Sequence, residues 1–377
     1  MTVTFFSNFL LHHQTPFCEA MVKLLGSNFK FVATQPVPQE RLDLGYSDLN
    51  HQVDYAVNSY ESEELFREGV RLGKESDVVI IGDAPDAFIE ERLRENKLTF
   101  RYWERFFKEG RWRILDPRVL RAYYKLHYRY RKQNLYMLCA SAYTAPDCRF
   151  IHSYPNKTYR WGYFPPVKRY DSIEDVIAGK RPNSLLWAGR FLDWKHPEAA
   201  VALAARLKKE GVDCTLSMIG TGAEEEKIKR MIAQNGLADR VHLLGAMPPE
   251  EVRRHMEGSE IFLFTSDRNE GWGAVLNESM NGGCAVVASR AIGSVPYLLK
   301  DGENGRIYKD GDQNDLYEKV KFLLENPAVR KQTGKAAYQT LIDVWNAETA
   351  AARFLALAEA IKQGKDTPFA QGPCSKD

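Results

Sequence analysis

Two doubly wound α/β domains are what this chain predicts, and three observations predict it. At 377 residues it is too long for one ordinary core and comfortable as two. In both halves short apolar runs alternate with helical patterns, as βα units of a mostly parallel sheet do. That rhythm breaks between residues 155 and 183, where Pro155, Pro165, Pro166 and Pro182 sit among Gly162, Gly179 and mixed charges.

In the first half the expected strands are Thr2–Phe6, Phe29–Ala33, Asp77–Ile81, Leu98–Tyr102 and Leu135–Cys139, with helices Pro16–Leu25, Ser62–Gly73 and Ala84–Glu95 among them. The second half restarts with strand Ser184–Ala188 and helix Pro197–Glu210, then Cys214–Ile219 and helix Glu224–Asn235. Val241–Leu244 precedes helix Pro249–Glu257, and Glu260–Thr265 precedes a helix beginning near Gly273. Strands Ala285–Ala288 and Gly305–Tyr308 follow, and three helical segments run to Gln363.

The expected partition is therefore an N-terminal domain over 1–160, a connector over 161–183 and a second domain over 184–345. A helix over 346–363 is expected to pack back toward the first domain, and the polar tail 364–377 to be disordered. Sheets of this kind bind ligands outside the carboxyl ends of their strands, which puts the expected site in a cleft between the domains.

Composition excludes more than it selects. A 44% hydrophobic and 27% charged chain is ordinary for a soluble globular protein, and its net charge of +2 names no partner. No apolar run approaches the ~20 residues that span a bilayer. The N-terminus carries no basic, apolar and small-residue succession of a signal peptide, so a cytoplasmic protein is expected. Six scattered cysteines, without a CxxC pair or metal-type spacing, fit that compartment.

The most informative stretch runs from Glu270 through Gly271, Trp272, Gly273, Ala274 and Val275 to Glu278, and on to the apolar run ending at Ser289. Gly271 and Gly273 leave backbone accessible at a helix start, where N–H groups and the dipole favour an anion such as a diphosphate. Two carboxylates flanking such a seat suit vicinal hydroxyls, one pair on a ribose and one on a hexose. The Glu spacing alone favours ordinary surface glutamates, and the glycines, the apolar run that follows and the upstream pieces reverse that. Upstream, Gly189-Arg190 ends a strand and Lys195 opens the next helix, and two cations there are placed to neutralise phosphates.

Taken in order, these pieces resemble the nucleotide-sugar domain of family 4 glycosyltransferases of the GT-B fold. The resemblance covers about residues 184–310: Gly189-Arg190 with Lys195, Ile219-Gly220-Thr221-Gly222, Leu237 to Gly245, Phe264-Thr265-Ser266, Glu270 to Glu278, and Asp301 to Gly305. It implies two Rossmann-like domains facing a cleft, and retaining transfer of a sugar, from a UDP-sugar, without a metal or other cofactor. The expected acceptor is a glycan or lipid-linked glycan in bacterial cell-surface polysaccharide synthesis. By the resemblance Arg190 and Lys195 bind the donor diphosphate, Glu278 the ribose and Glu270 the sugar. Gly189, Gly220 and backbone around Gly271, Trp272, Gly273, Ala274 and Val275 line the donor, with Leu243, Leu244 and Met247 beside the base. Glu270, Arg190 and Lys195 are the expected catalytic set. A phosphorylase or epimerase of the same fold, or a non-catalytic sugar-nucleotide or membrane-docking protein, remains open.

The first half departs from that pattern. Where relatives often carry a glycine-rich loop, this chain reads Ser7-Asn8-Phe9-Leu10-Leu11-His12-His13-Gln14. His12, His13 and Glu104 are candidates on the acceptor side, each with a plain structural alternative. Gly220-Thr221-Gly222 has the start of a dinucleotide fingerprint, but Glu225 occupies the third glycine position. Finally, residues 101–132 hold eleven Lys or Arg against three Asp or Glu, a net +8, interleaved with aromatics including Trp103, Phe107 and Trp112. Peripheral contact with an anionic membrane at the inner face and an ordinary solvated face are the two main readings; no nucleic-acid signature accompanies the charge.

Overall fold

The computed structural model describes residues 1–39, 42 and 47–377, and the chain divides into two compact units. Unit 1 comprises Met1–Pro166 and Val344–Asp377, and unit 2 comprises Val167–Asp343.

Unit 1 is built on strands β1 (Val3–Ser7), β2 (Phe29–Ala33), β3 (Ala56–Asn58), β4 (Val78–Ile81), β5 (Thr99–Trp103), β6 (Leu135–Cys139) and β7 (Thr158–Arg160). They lie in the order β3-β2-β1-β4-β5-β6-β7, every pair parallel. The central strands are apolar on both faces because helices cover both, which is why β1 and β4 read as unbroken buried runs. The helices are α1 (Thr15–Leu25), α2 (Glu63–Glu75), α3 (Glu90–Arg94), α4 (Pro117–Tyr123) and α5 (Thr144–Phe150). Ser62 caps α2 by accepting from the Leu65 amide, and Asp116 caps α4.

Unit 2 repeats the plan with β8 (Arg181–Ala188), β9 (Thr215–Ile219), β10 (Val241–Leu243), β11 (Ser259–Phe264), β12 (Ala285–Ser289) and β13 (Arg306–Tyr308). Their order is β10-β9-β8-β11-β12-β13, again all parallel. Its helices are α6 (Ile173–Ala178), α7 (Pro197–Lys209), α8 (Glu225–Gln234), α9 (Pro249–Gly258), α10 (Val275–Asn281), α11 (Val295–Leu298), α12 (Gln313–Glu325) and α13 (Pro327–Asp343). The last helix, α14 (Ala347–Lys362), belongs to unit 1 and packs on α1, Phe354 meeting the rings of Phe17, Phe100 and Trp161.

Each unit therefore has the strand order of a doubly wound sheet, with its switch point between β1 and β4 or between β8 and β11. Two expectations are corrected. The tail 364–377 is not disordered: Cys374 and Ser375 are buried, the Arg160 amide donates to the Ser375 carbonyl at 2.8 Å, and Tyr159 bridges Lys376. Its polar composition concealed a segment that completes the β7 edge. The helix expected over Ala84–Glu95 is a short turn at Asp86–Phe88 followed by α3, because Phe88 turns inward and its carbonyl lies against Gly73 of α2. The Pro-rich stretch is also less of a connector than its composition suggests, since Ile173 and Ile177 of α6 pack on Tyr338 within unit 2.

Candidate functional site

Because all strands of unit 2 are parallel, the loops that leave their carboxyl ends share one edge of the sheet. Gly189 and Arg190 follow β8, Gly220 follows β9, Leu243 closes β10 with Leu244 and Met247 beyond it, and Ser266–Glu270 follow β11. The first and last of these flank the switch point.

The β8, β9 and β10 loops are locked by backbone. Gly189 donates to the Ile219 carbonyl at 3.0 Å, Phe191 to Thr221 at 2.8 Å and Gly220 to Gly245 at 2.8 Å. Gly220 adopts φ +126°, and a Cβ there would stand 1.9 Å from the Gly189 carbonyl oxygen. Gly220 and Gly222 thus serve a close backbone crossing, which accounts for them without a dinucleotide. The lock leaves Arg190 exposed at the edge.

The chemistry gathers between the β8 and β11 loops. Lys195 Nζ meets Glu270 Oε2 at 2.6 Å, and Ser266 Oγ donates to the same oxygen at 2.9 Å. Glu270 is buried and Lys195 nearly so. Their positions are fixed from behind: the Trp187 indole donates to Thr265 Oγ1 at 2.8 Å, and that hydroxyl donates to the Lys195 carbonyl at 2.7 Å. The Gly293 amide, from the loop after β12, reaches the Glu270 carbonyl at 3.2 Å. Lys195 also sits 4.5 Å from the centre of the Trp194 ring. Ser266 and Thr265 stood in the sequence motif without a role; a hydroxyl four residues before a buried carboxylate was the signal that could have found Ser266.

Glu270 precedes helix α10 rather than lying on it, so the two glutamates do not share one helix. Between them Gly273 takes φ +81° and packs on Phe264, where a Cβ would come within 2.4 Å of the ring. Gly271 and Trp272 are buried, the indole of Trp272 donating to Asn277 at 2.9 Å, while Gly273, Ala274 and Val275 are half-buried at the start of α10. Glu278 is on α10, where desolvation pushes its carboxyl up to about 7 against the pull of Arg253 on α9. Leu244 is exposed and Met247 half-buried on the β10 loop.

In unit 1 the corresponding edge is differently furnished. Asn8, after β1, donates to Asp83, after β4, at 3.2 Å. Glu104, just beyond β5, accepts from Tyr163 Oη and from Lys108 Nζ, both at 2.6 Å. His13 stacks on the Tyr163 ring, centroids 4.0 Å apart, and His12 meets His13 edge-on at 5.2 Å. The three sequence candidates of this half thus cluster around Tyr163, which the sequence did not single out. Tyr163 and Tyr102 hold their hydroxyls well above the usual range, through burial and then the nearby Glu104 charge. Among the described residues no group of His, Cys, Asp and Glu is set to hold a metal ion, and no helix is long and apolar enough to cross a membrane.

Residues 171–340 match the family described as Glycosyl transferases group 1. Among curated proteins, the chain is 31% identical over 153 residues to an uncharacterized glycosyltransferase, MJ1178, of Methanocaldococcus jannaschii, covering 41% of each. It is 31% identical over 156 residues to the amylovoran biosynthesis glycosyltransferase AmsK of Erwinia amylovora, covering 40% of this chain and 38% of that one. The aligned region spans about two fifths of these relatives' length. Of solved structures, HepE of Anabaena in complex with UDP superposes with a TM-score of 0.71 at 15% identity, over 96% of this chain and 100% of that one. A glycosyltransferase of Rickettsia africae gives 0.66 at 14% identity, over 97% and 99%. The fold is GT-B, two Rossmann-like parallel-sheet domains.

Proposed function

We propose that this protein is a retaining glycosyltransferase that moves a sugar from a UDP-sugar to a glycan or lipid-linked glycan. The observation that carries the reading is the Lys195–Glu270–Ser266 cluster at the switch point of unit 2, with Arg190 exposed beside it. The match over residues 171–340 supports the reaction class. The UDP bound by HepE supports the nucleotide, and the amylovoran role of AmsK supports a polysaccharide setting.

In this reading Arg190 and Lys195 neutralise the donor diphosphate, Arg190 with its planar fork and Lys195 as a point charge. Glu278 accepts from the ribose hydroxyls and Glu270 from those of the sugar. Leu243, Leu244 and Met247 border the base, and the backbone of Gly271–Val275 lines the sugar and phosphate. As the bond from the sugar's anomeric carbon to the phosphate oxygen breaks, charge grows on the leaving UDP, where two fixed cations stabilise it. The acceptor oxygen bonds to the same face of that carbon, and its proton passes to a phosphate oxygen of the leaving group. No protein base is required, and the cations take the place of a divalent ion. On unit 1, Glu104, His12, His13 and Tyr163 form the acceptor side, where a carboxylate and flat rings suit a neutral polyol.

Calorimetry with UDP, with and without a metal chelator, followed by product analysis with UDP-sugars, tests the reading. The expected result is binding that the chelator leaves unchanged and a product that keeps the donor's anomeric configuration. No measurable UDP binding, or an inverted product, would sink it.

A further inference from the structure

Residues 101–132 read in sequence as one basic aromatic block, and the fold divides it into an inward and an outward part. Arg101 is buried against Asp86 at 2.9 Å, and Phe107 is buried. Trp103, Phe106 and Tyr123 gather around buried His127, and Tyr123 donates to the Phe106 carbonyl at 2.9 Å. These rings pack on the core of unit 1, Phe107 buried and Trp103, Phe106 and Tyr123 half-buried against it.

What remains outside is compact. The turn at Arg111–Leu115, helix α4 and the π-turn Tyr124–Tyr128 pack against one another in succession. On them Trp112 is 62% exposed, Leu115 81%, Leu120 52% and Tyr124 53%. Large apolar side chains scattered singly over a surface need no explanation, but four within thirteen residues form a patch. Around them Arg111, Arg118, Arg121, Lys125, Arg129 and Lys132 are exposed. Arg111 and Arg118 have acidic neighbours in Asp147 and Asp116, whereas Arg121 and Lys125 make no ion pair among the described residues. Aliphatic side chains ringed by cations fit an anionic lipid surface, whose headgroups meet the charge and whose acyl boundary takes the leucines. A nucleic acid would satisfy the cations and could stack on the rings, but it offers Leu115 and Leu120 nothing.

We propose that the surface formed by residues 111–132 docks the protein on anionic membranes, with Trp112, Leu115, Leu120 and Tyr124 inserted at the headgroup level and Arg121 and Lys125 among the charges that hold it there. This goes beyond the transfer reading and does not rest on it, since none of these residues belongs to the donor site of unit 2.

The test uses the full chain and vesicles of phosphatidylcholine with or without phosphatidylglycerol. The native protein is expected to sediment with the anionic vesicles at low salt, to ignore the neutral ones, and to be released as the Debye length shrinks to ~3 Å at 1 M salt. Arg121→Ala and Lys125→Ala each weaken the partitioning about fivefold. Bromine-labelled acyl chains quench the native fluorescence, and Trp112→Phe removes that quench while sedimentation persists. The double variant Leu115→Ser/Leu120→Ser retains salt-sensitive adsorption but loses the quench of Trp112. The far-ultraviolet circular dichroism spectrum and Tm, unchanged in every variant, report that the fold is intact. Native protein that ignores anionic vesicles at low salt overturns the proposal, as do equal binding to neutral vesicles and binding to duplex DNA without binding to vesicles.

Discussion

The two carboxyl edges of this molecule have the same topology and are finished differently. In unit 2 the loops after β8, β9 and β10 are joined backbone to backbone through glycines, and the β8 loop presents the cations Arg190 and Lys195. In unit 1 the loop after β1 has no glycine, and to the backbone bonds from Thr34 and Gln35 to the Asn8 carbonyl, at 2.9 and 2.8 Å, it adds side-chain clamps. Asn8 Oδ1 accepts from the Phe9 amide at 2.8 Å, Asn50 Oδ1 from Leu10 at 2.8 Å and Gln14 Oε1 from Leu11 at 3.2 Å. Side-chain amides there, Gln14 and Asn50 of them buried, satisfy the loop amides in place of glycine-mediated backbone contacts. Strand order fixes where a ligand can sit, while the means of closing the loops decides what chemistry the edge can show. Glycine locks bring the backbone close and leave side-chain cations to face an anion; amide clamps leave carboxylates and rings.

The sharpest way to break that contrast is to add one methyl group to each edge. Gly220→Ala sets a methyl against the Gly189 carbonyl at a positive φ, and neither backbone can yield. We expect a loss of about 3 kcal/mol or more in denaturant unfolding, with UDP binding lost in parallel. Gly82→Ala, after β4 in unit 1, meets the Tyr102 ring at 3.3 Å, Ser7 Oγ at 3.5 Å and the Phe6 carbonyl oxygen at an ordinary 3.6 Å. Side chains can shift, so about 1 kcal/mol or less is expected. Comparable losses would mean that the two edges are closed alike.

The cations come next. Lys195→Ala removes a partner from buried Glu270, so both Tm and UDP affinity should fall. Arg190 is exposed, and Arg190→Ala should lower UDP affinity by roughly 1.5–3 kcal/mol in calorimetry at unchanged Tm. If Arg190→Ala leaves UDP affinity untouched, the diphosphate does not lie there.

The two carboxylates of unit 2 should then separate. Glu278→Gln is expected to weaken UDP about tenfold, and Glu270→Gln to spare UDP while slowing transfer. Glu278 adds a pH signature. Its folded value of about 7 lies above the ordinary 4.5, so the stability it contributes is complete below that ordinary value and is lost as pH rises through about 7. Glu278→Gln should therefore melt higher than the native protein above that pH and alike in acid. Ribose hydroxyls favour the carboxylate, so native UDP affinity should climb with pH through the same range more steeply than the variant's, which keeps only the ionisation of the terminal phosphate of UDP, near pH ~6. A native profile no steeper than the variant's removes Glu278 from the ribose.

The smallest effect belongs to unit 1. Glu104→Gln keeps a group that accepts from Tyr163 and should leave UDP affinity unchanged while lowering transfer to the acceptor severalfold. Equal transfer by both proteins would leave Glu104 a structural residue.

The sequence alone determined the two parallel sheets, because their central strands are short apolar runs and such runs are local: β2 and β6 fall on the expected residues. It missed β3 and β7, three residues each and partly buried, which carry no apolar run of their own and are strands by virtue of a neighbour's hydrogen bonds. It brought Arg190, Lys195 and Glu270 forward as single residues, but their mutual geometry is tertiary: Lys195 and Glu270 are 75 positions apart and meet because β8 and β11 are adjacent. The same holds for His13 on Tyr163 and for the tail on β7. Only the fold separated buried Arg101 and Phe107 from exposed Trp112, Leu115 and Lys125, since composition records how much charge and ring a segment has and not which way each side chain faces.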